Sequence, residues 1–130
     1  MLYTTPAALF DAVVDSKNRG DVEAYLDCYE SKATIVLQPG SVASGHDALR
    51  GFLSFFTSLK PSFRVIRREF IEGPETTLHL SEWTLIGIDS EGNPIDWSGR
   101  TSDVLRKQED GRWLVALDNP WGTALLDTAS

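Results

Sequence analysis

The dipeptide Asp110-Gly111 constrains this chain most, because it joins two alternating runs in a fixed register. Thr101 to Arg106 precede it and Trp113 to Leu117 follow it, both patterned as half-buried strands. Asp-Gly in this setting signals a two-residue hairpin turn, whose central positions both adopt positive φ. Glu109 then faces Arg112, and counting back from that pair sets Asp103 opposite Asp118. A four-residue loop keeps this pairing, whereas a three-residue loop breaks it. Like charges directly opposed on one sheet face are destabilising. The two acids are therefore either held in solvent, as most acids are, or buried as a dyad in which one carboxyl keeps its proton.

Their neighbours bear on that choice. Trp97, Gly99, Thr101 and Leu105 share the face of Asp103, and Leu114 and Ala116 share that of Asp118. The opposite face pairs Val104 with Leu117 and Arg106 with Val115, and sets Gln108 beside Trp113. Both faces are substantially apolar. A sheet covered on both sides fits this pattern, with helices on one face and a second subunit on the other. Val104, Trp113, Val115 and Leu117 are then the expected homodimer contacts.

The chain of 130 residues suits one domain, residues 1–130, with an ordinary core. Its net charge of −7 argues against nucleic acid or an anionic membrane as partner. Cys28 is the lone cysteine, so no internal disulfide forms, and no C-x-x-C or His-rich spacing suggests a metal. No signal-peptide pattern opens the chain, and no apolar run reaches membrane-spanning length. A soluble cytoplasmic protein is the expectation.

Thr5-Pro6 reads as a capped helix start, and Phe10, Val13, Val14 and Lys17 follow helical spacing up to Gly20. Asp21 caps a second short helix carrying Val22, Tyr25, Leu26 and Tyr29. Ala33 to Gln38 is a short strand stopped by Pro39-Gly40. A third helix starts near His46-Asp47 and carries Leu49, Phe52, Leu53, Phe56 and Leu59. From Ser62 the period changes to two, giving strands over 64–72, 76–88, 94–107 and 112–118. Three helices and a run of antiparallel strands read as α+β.

The turn at Ser90-Glu91-Gly92 carries a second register. A three-residue loop ending on glycine places His79 across from Asp103, Ser81 across from Thr101 and Trp83 across from Gly99. His79, Asp103 and Asp118 then form one row over three strands. A four-residue loop brings in Leu80 and Glu82 instead.

This arrangement resembles the nuclear transport factor 2-like superfamily, the group containing SnoaL-like polyketide cyclases and ketosteroid isomerase. The resemblance rests on the Thr5-Pro6 helix with Asn18-Arg19-Gly20-Asp21, on Ala33-Thr34-Ile35-Val36 ending at Pro39-Gly40, and on Gly45-His46-Asp47-Ala48-Leu49-Arg50. It closes on Asp103-Val104-Leu105-Arg106 before Asp110-Gly111-Arg112-Trp113. It implies a curved, mostly antiparallel sheet forming a cone with an internal pocket, and a homodimer through the convex face. Asp103 corresponds to the isomerase's oxyanion-binding acid, kept protonated by an apolar site. The isomerase's general base falls at Gln38, and its first-helix tyrosine at Val13. Steroid isomerisation is therefore not expected. The closing Asp118-Asn119-Pro120-Trp121-Gly122 is closer to SnoaL-like members.

Candidate roles follow. Asp103 is a neutral hydrogen-bond donor to a developing enolate, with Asp118 or His79 as proton acceptor. Trp83, Trp97 and Phe56 either wall a pocket for a flat apolar ligand or simply pack the core. Gln38, Thr101 and Trp121 complete the expected pocket. Tyr25 and Tyr29, four apart on one helix, either line its mouth or pack. No Gly-x-Ser-x-Gly elbow supports a Ser-His-Asp hydrolase, and no glycine-rich phosphate loop supports a nucleotide. The expected function is cofactor-free isomerisation, dehydration or cyclisation of an apolar carbonyl compound, polyketide- or steroid-like. The alternative is a non-catalytic ligand-binding or association module.

Overall fold

The computed structural model describes residues 3–127. Helix α1 (Pro6–Arg19) starts where the Thr5 hydroxyl accepts the Ala8 amide at 3.1 Å, with proline at the first helical position. Its buried stripe runs through Leu9, Phe10, Val13, Ser16 and Lys17, the spacing of one helix face. Asp21 caps α2 (Val22–Asp27) by accepting the Ala24 amide. Helix α3 (His46–Ser58) buries Leu49, Leu53 and Phe56.

The strands are β1 (Tyr29–Gln38), β2 (Ser41–Ser44), β3 (Ser62–Glu72), β4 (Thr76–Ile88), β5 (Pro94–Lys107) and β6 (Trp113–Asp118), followed by a 3₁₀ helix (Gly122–Asp127). They form one curved sheet in the order β2-β1-β6-β5-β4-β3. The pairing of β1 with β6 is parallel and the others are antiparallel. Helices and the inner sheet face enclose the core, where Leu9, Ile35, Leu49, Leu53 and Leu105 are almost completely buried. Each such side chain contributes about 1.5–3 kcal/mol relative to exposure. The α+β cone expected from the sequence is the observed fold. Unforeseen were β2, the 3₁₀ helix and the early start of β1.

That early start corrects the reading of the two tyrosines. Helix α2 ends at Asp27, so Tyr29 opens a strand and does not continue the stripe of Tyr25.

The β4–β5 turn follows expectation. Asp89 N–H donates to the Asn93 carbonyl at 2.9 Å and Gly92 N–H to the Asp89 carbonyl at 3.0 Å. His79 pairs with Asp103, Ser81 with Thr101 and Trp83 with Gly99.

The β5–β6 turn does not. Gln108 N–H donates to the Arg112 carbonyl at 2.7 Å and Gly111 N–H to the Gln108 carbonyl at 3.0 Å, so Glu109, Asp110 and Gly111 form a three-residue loop. Gly111 takes the left-handed position at φ 89°, which a side chain disfavours. Lys107 thus pairs with Trp113, Arg106 with Leu114 and Leu105 with Val115. The register then shifts at Ala116, and Val104 pairs with Leu117. Ser102 N–H reaches the Asn119 carbonyl at 2.9 Å. Between these two contacts Asp103 comes opposite Asp118.

The bulge also swaps faces. Val115 joins Leu105 on the inner face and lines the cavity, and Trp113 is buried in the core. Their expected place on the outer face is corrected by that one extra residue. Val104 and Leu117 remain paired there, half-buried.

Candidate functional site

A cavity of about 670 Å³ lies between helices α1 and α3 and the inner sheet face. Its walls are aromatic and aliphatic, including Phe10, Val13, Phe52, Phe56, Phe63 and Trp83. The Trp83 indole stacks on Phe63 at 5.7 Å between centroids. Gly99, directly opposite, gives the indole its room: a Cβ there would sit 2.8 Å from the ring. The half-exposed Trp97 and Trp121 mark the open end, and Trp121 Nε1 donates to the Leu37 carbonyl at 3.3 Å.

Asp103 and Asp118 lie on the cavity wall, 5% and 6% exposed. Asp103 is filled with donors. Its Oδ1 accepts the Thr101 hydroxyl at 2.6 Å and the Asn119 amide at 2.9 Å, and its Oδ2 lies 2.9 Å from His79 Nδ1. The tautomer with hydrogen on Nδ1 donates to that oxygen. The Thr101 hydroxyl is also 2.9 Å from the Asn119 carbonyl, so its single hydrogen is shared. Asp118 Oδ2 accepts the Tyr29 hydroxyl at 2.6 Å.

Burial pushes the Asp118 carboxyl up to about 6 from its ordinary 3.8, and the charge of Asp103 adds to the rise. The Lys17 ammonium and the Tyr29 hydrogen bond pull in the opposite direction. Burial, with the charge of Asp118, also raises the Tyr29 hydroxyl well above its ordinary value, so Tyr29 stays a donor. Asp118 is therefore a carboxyl with raised proton affinity, and Asp103 accepts three hydrogen bonds. The sequence reading gave the proton to Asp103.

Most of the expected pocket is brought together. Trp83, Trp97, Phe56, Gln38, Thr101 and Trp121 all line the cavity, as do Val13 and Gln38 at the positions that depart from the isomerase pattern. His79 does not. It is fully buried behind Asp103, its ring 3.8 Å from Phe10 and 4.9 Å from Phe70, and its Nε2 has no hydrogen-bond partner among the described residues. It does not line the cavity, and what it meets there is the Asp103 carboxyl at its Nδ1. Tyr25 is likewise fully buried, packed 4.7 Å from Tyr29 and away from the cavity wall. Tyr29 lines the cavity, as one of its two readings had it, and so does Lys17, which was not singled out as a site residue. The available signal for Lys17 was a charge on the apolar stripe of the first helix.

Among the described residues no group of three or more His, Cys, Asp or Glu side chains is placed to hold a metal ion. Among the described residues no helix is long and apolar enough to cross a membrane.

A six-stranded curved sheet wrapped around helices is the nuclear transport factor 2-like architecture. Residues 10–116 match the SnoaL-like domain family, and the chain belongs to that family. Among curated proteins there is no match. Solved structures share the fold. A nuclear transport factor 2-like superfamily protein from Salmonella enterica is 12% identical, with TM-score 0.78, covering 88% of this chain and 85% of its own. A proposed ketosteroid isomerase from Shewanella frigidimarina is 15% identical, with TM-score 0.76 and coverage of 85% and 90%. The association domain of a C. elegans calcium/calmodulin-dependent kinase II is 16% identical, with TM-score 0.68 and coverage of 87% and 89%.

Proposed function

We propose that this protein binds an apolar, carbonyl-bearing molecule and performs cofactor-free acid/base chemistry on it: isomerisation, dehydration or cyclisation. The observation that carries this reading is the Asp103–Asp118 pair on the wall of an apolar cavity. A volume of about 670 Å³ suits a drug-sized ligand. Asp103, oriented by Thr101, Asn119 and His79, takes the proton from the carbon beside the carbonyl. Asp118 in its protonated form donates to the carbonyl oxygen as negative charge develops there. Tyr29 holds Asp118 in place, and Trp83 and Phe56 flank the ligand.

A binding or association module is the second reading, favoured by the outer face. There Leu78 pairs with Val104 and Val104 with Leu117, an apolar row across three strands. A second copy of the chain covers that row in a homodimer, on either reading.

A thermal-shift screen of polyketide-like and steroid-like compounds, followed by solvent deuterium exchange into any hit, tests the proposal. The enzyme reading requires exchange beside the carbonyl that Asp103→Asn abolishes. A hit that stabilises the protein without any exchange supports the module instead.

A further inference from the structure

We propose that Lys17 is an anion-binding residue of this cavity, selecting ligands that carry a carboxylate or similar oxyanion on an apolar body. The inference rests on the small-molecule reading above and narrows its ligand class.

Lys17 lies on the buried stripe of α1, one turn after Val13, and is only 8% exposed. Its Nζ stands 4.9 Å from the Phe63 ring centroid, 5.4 Å from Phe56 and 5.7 Å from Phe52. All three phenyls line the cavity with it. Among the described residues its ammonium makes no hydrogen bond and no ion pair within 4.0 Å.

Lysine is almost never so buried without a partner, because its strongly hydrated ammonium loses water. Long lysine stems ordinarily carry the charge out to solvent. Here the ring faces recover part of that loss by cation–π attraction, and no carboxylate completes it. Neither Asp103 nor Asp118 on the cavity wall pairs with it within 4.0 Å. Asp118 feels the Lys17 charge but gives Oδ2 to Tyr29, and Asp103 already accepts three donors. Arg100 also borders the cavity, but its side chain is mostly exposed and pairs with Glu82 at 3.6 Å. The Lys17 ammonium on the cavity wall is therefore the anchor available to an incoming anion. A carboxylate supplies a charge-assisted hydrogen bond to Nζ, and an aromatic or alicyclic body packs on the three phenyls.

Isothermal titration at neutral pH with 2-naphthoate and its methyl ester tests this, since the two share a ring system and differ in charge. The wild type should bind the acid at least about ten-fold more tightly than the ester. Lys17→Met should lose that preference while retaining the ester, and Lys17→Arg should keep it. Equal binding of acid and ester by the wild type overturns the role of Lys17 and leaves the pocket reading standing. Binding of neither overturns both. The acid–ester comparison needs only the wild type, so it decides even if Lys17→Met does not fold.

Discussion

Asp103 and Asp118 oppose each other across β5 and β6, although the turn joining those strands sets a register in which they would miss by one residue. The bulge at Ala116 makes up the difference. It turns Val115 inward beside Leu105 while leaving Leu117 outward beside Val104. One inserted residue thus supplies both an acid pair inside and an apolar row outside.

Asp118 makes stability depend on pH. Its folded-state value of about 6 lies above its ordinary 3.8, so the native protein retains a proton that the unfolded chain releases. The stabilisation is complete below about pH 4 and is lost as pH rises through about 6, a loss on the order of 2–3 kcal/mol. Asp118→Asn removes this titration. Melting temperatures of both proteins from about pH 4 to 7 should show the wild type falling relative to the variant. A constant difference would contradict the buried carboxyl.

Asp103→Asn should destabilise the fold. The amide oxygen can serve Thr101 and Asn119, but the NH₂ then faces His79 Nδ1, which accepts only if its hydrogen moves to the buried, partnerless Nε2. The unmet hydrogen bonding costs about 1–3 kcal/mol, partly offset by relief of repulsion with Asp118. Urea denaturation should show a net loss of about 1–2 kcal/mol. Asp118 should titrate lower in the variant, because a charged neighbour is gone. Net stabilisation would mean that repulsion outweighs the hydrogen bonds.

The outer face should hold a second copy. Leu78, 37% exposed, stands beside Val104 and next to Leu80, 36% exposed, in a row that continues to Leu117. Sedimentation velocity at micromolar concentration should show a dimer. Leu78→Lys should yield folded monomers with unchanged far-ultraviolet circular dichroism. A monomeric wild type would remove the interface.

Local chemistry made much of this molecule legible. Thr5-Pro6 and Asp21 marked helix starts because capping depends on a few adjacent residues. Ser90-Glu91-Gly92 revealed its loop length, and with it the His79–Asp103 pairing. Asp110-Gly111 did not, because the same dipeptide fits a two-residue turn and the tail of a three-residue loop. The resulting error of one residue cancelled at a bulge that nothing around Ala116 announced. The parallel pairing of β1 with β6 was hidden because it joins segments far apart in the chain. For the same reason Tyr29 was grouped with Tyr25, when its hydroxyl meets Asp118 on the neighbouring strand, far along the chain. His79 was placed in the right row, but Phe10 and Phe70 closing over it belong to tertiary packing.

Carboxyl NMR titration of Asp103 and Asp118 in the wild type tests the dyad most directly. The expected result is a coupled titration with one apparent value near about 6, assigned mainly to Asp118 and shifted further upward in Tyr29→Phe. Independent titration of both acids near about 4 would contradict it.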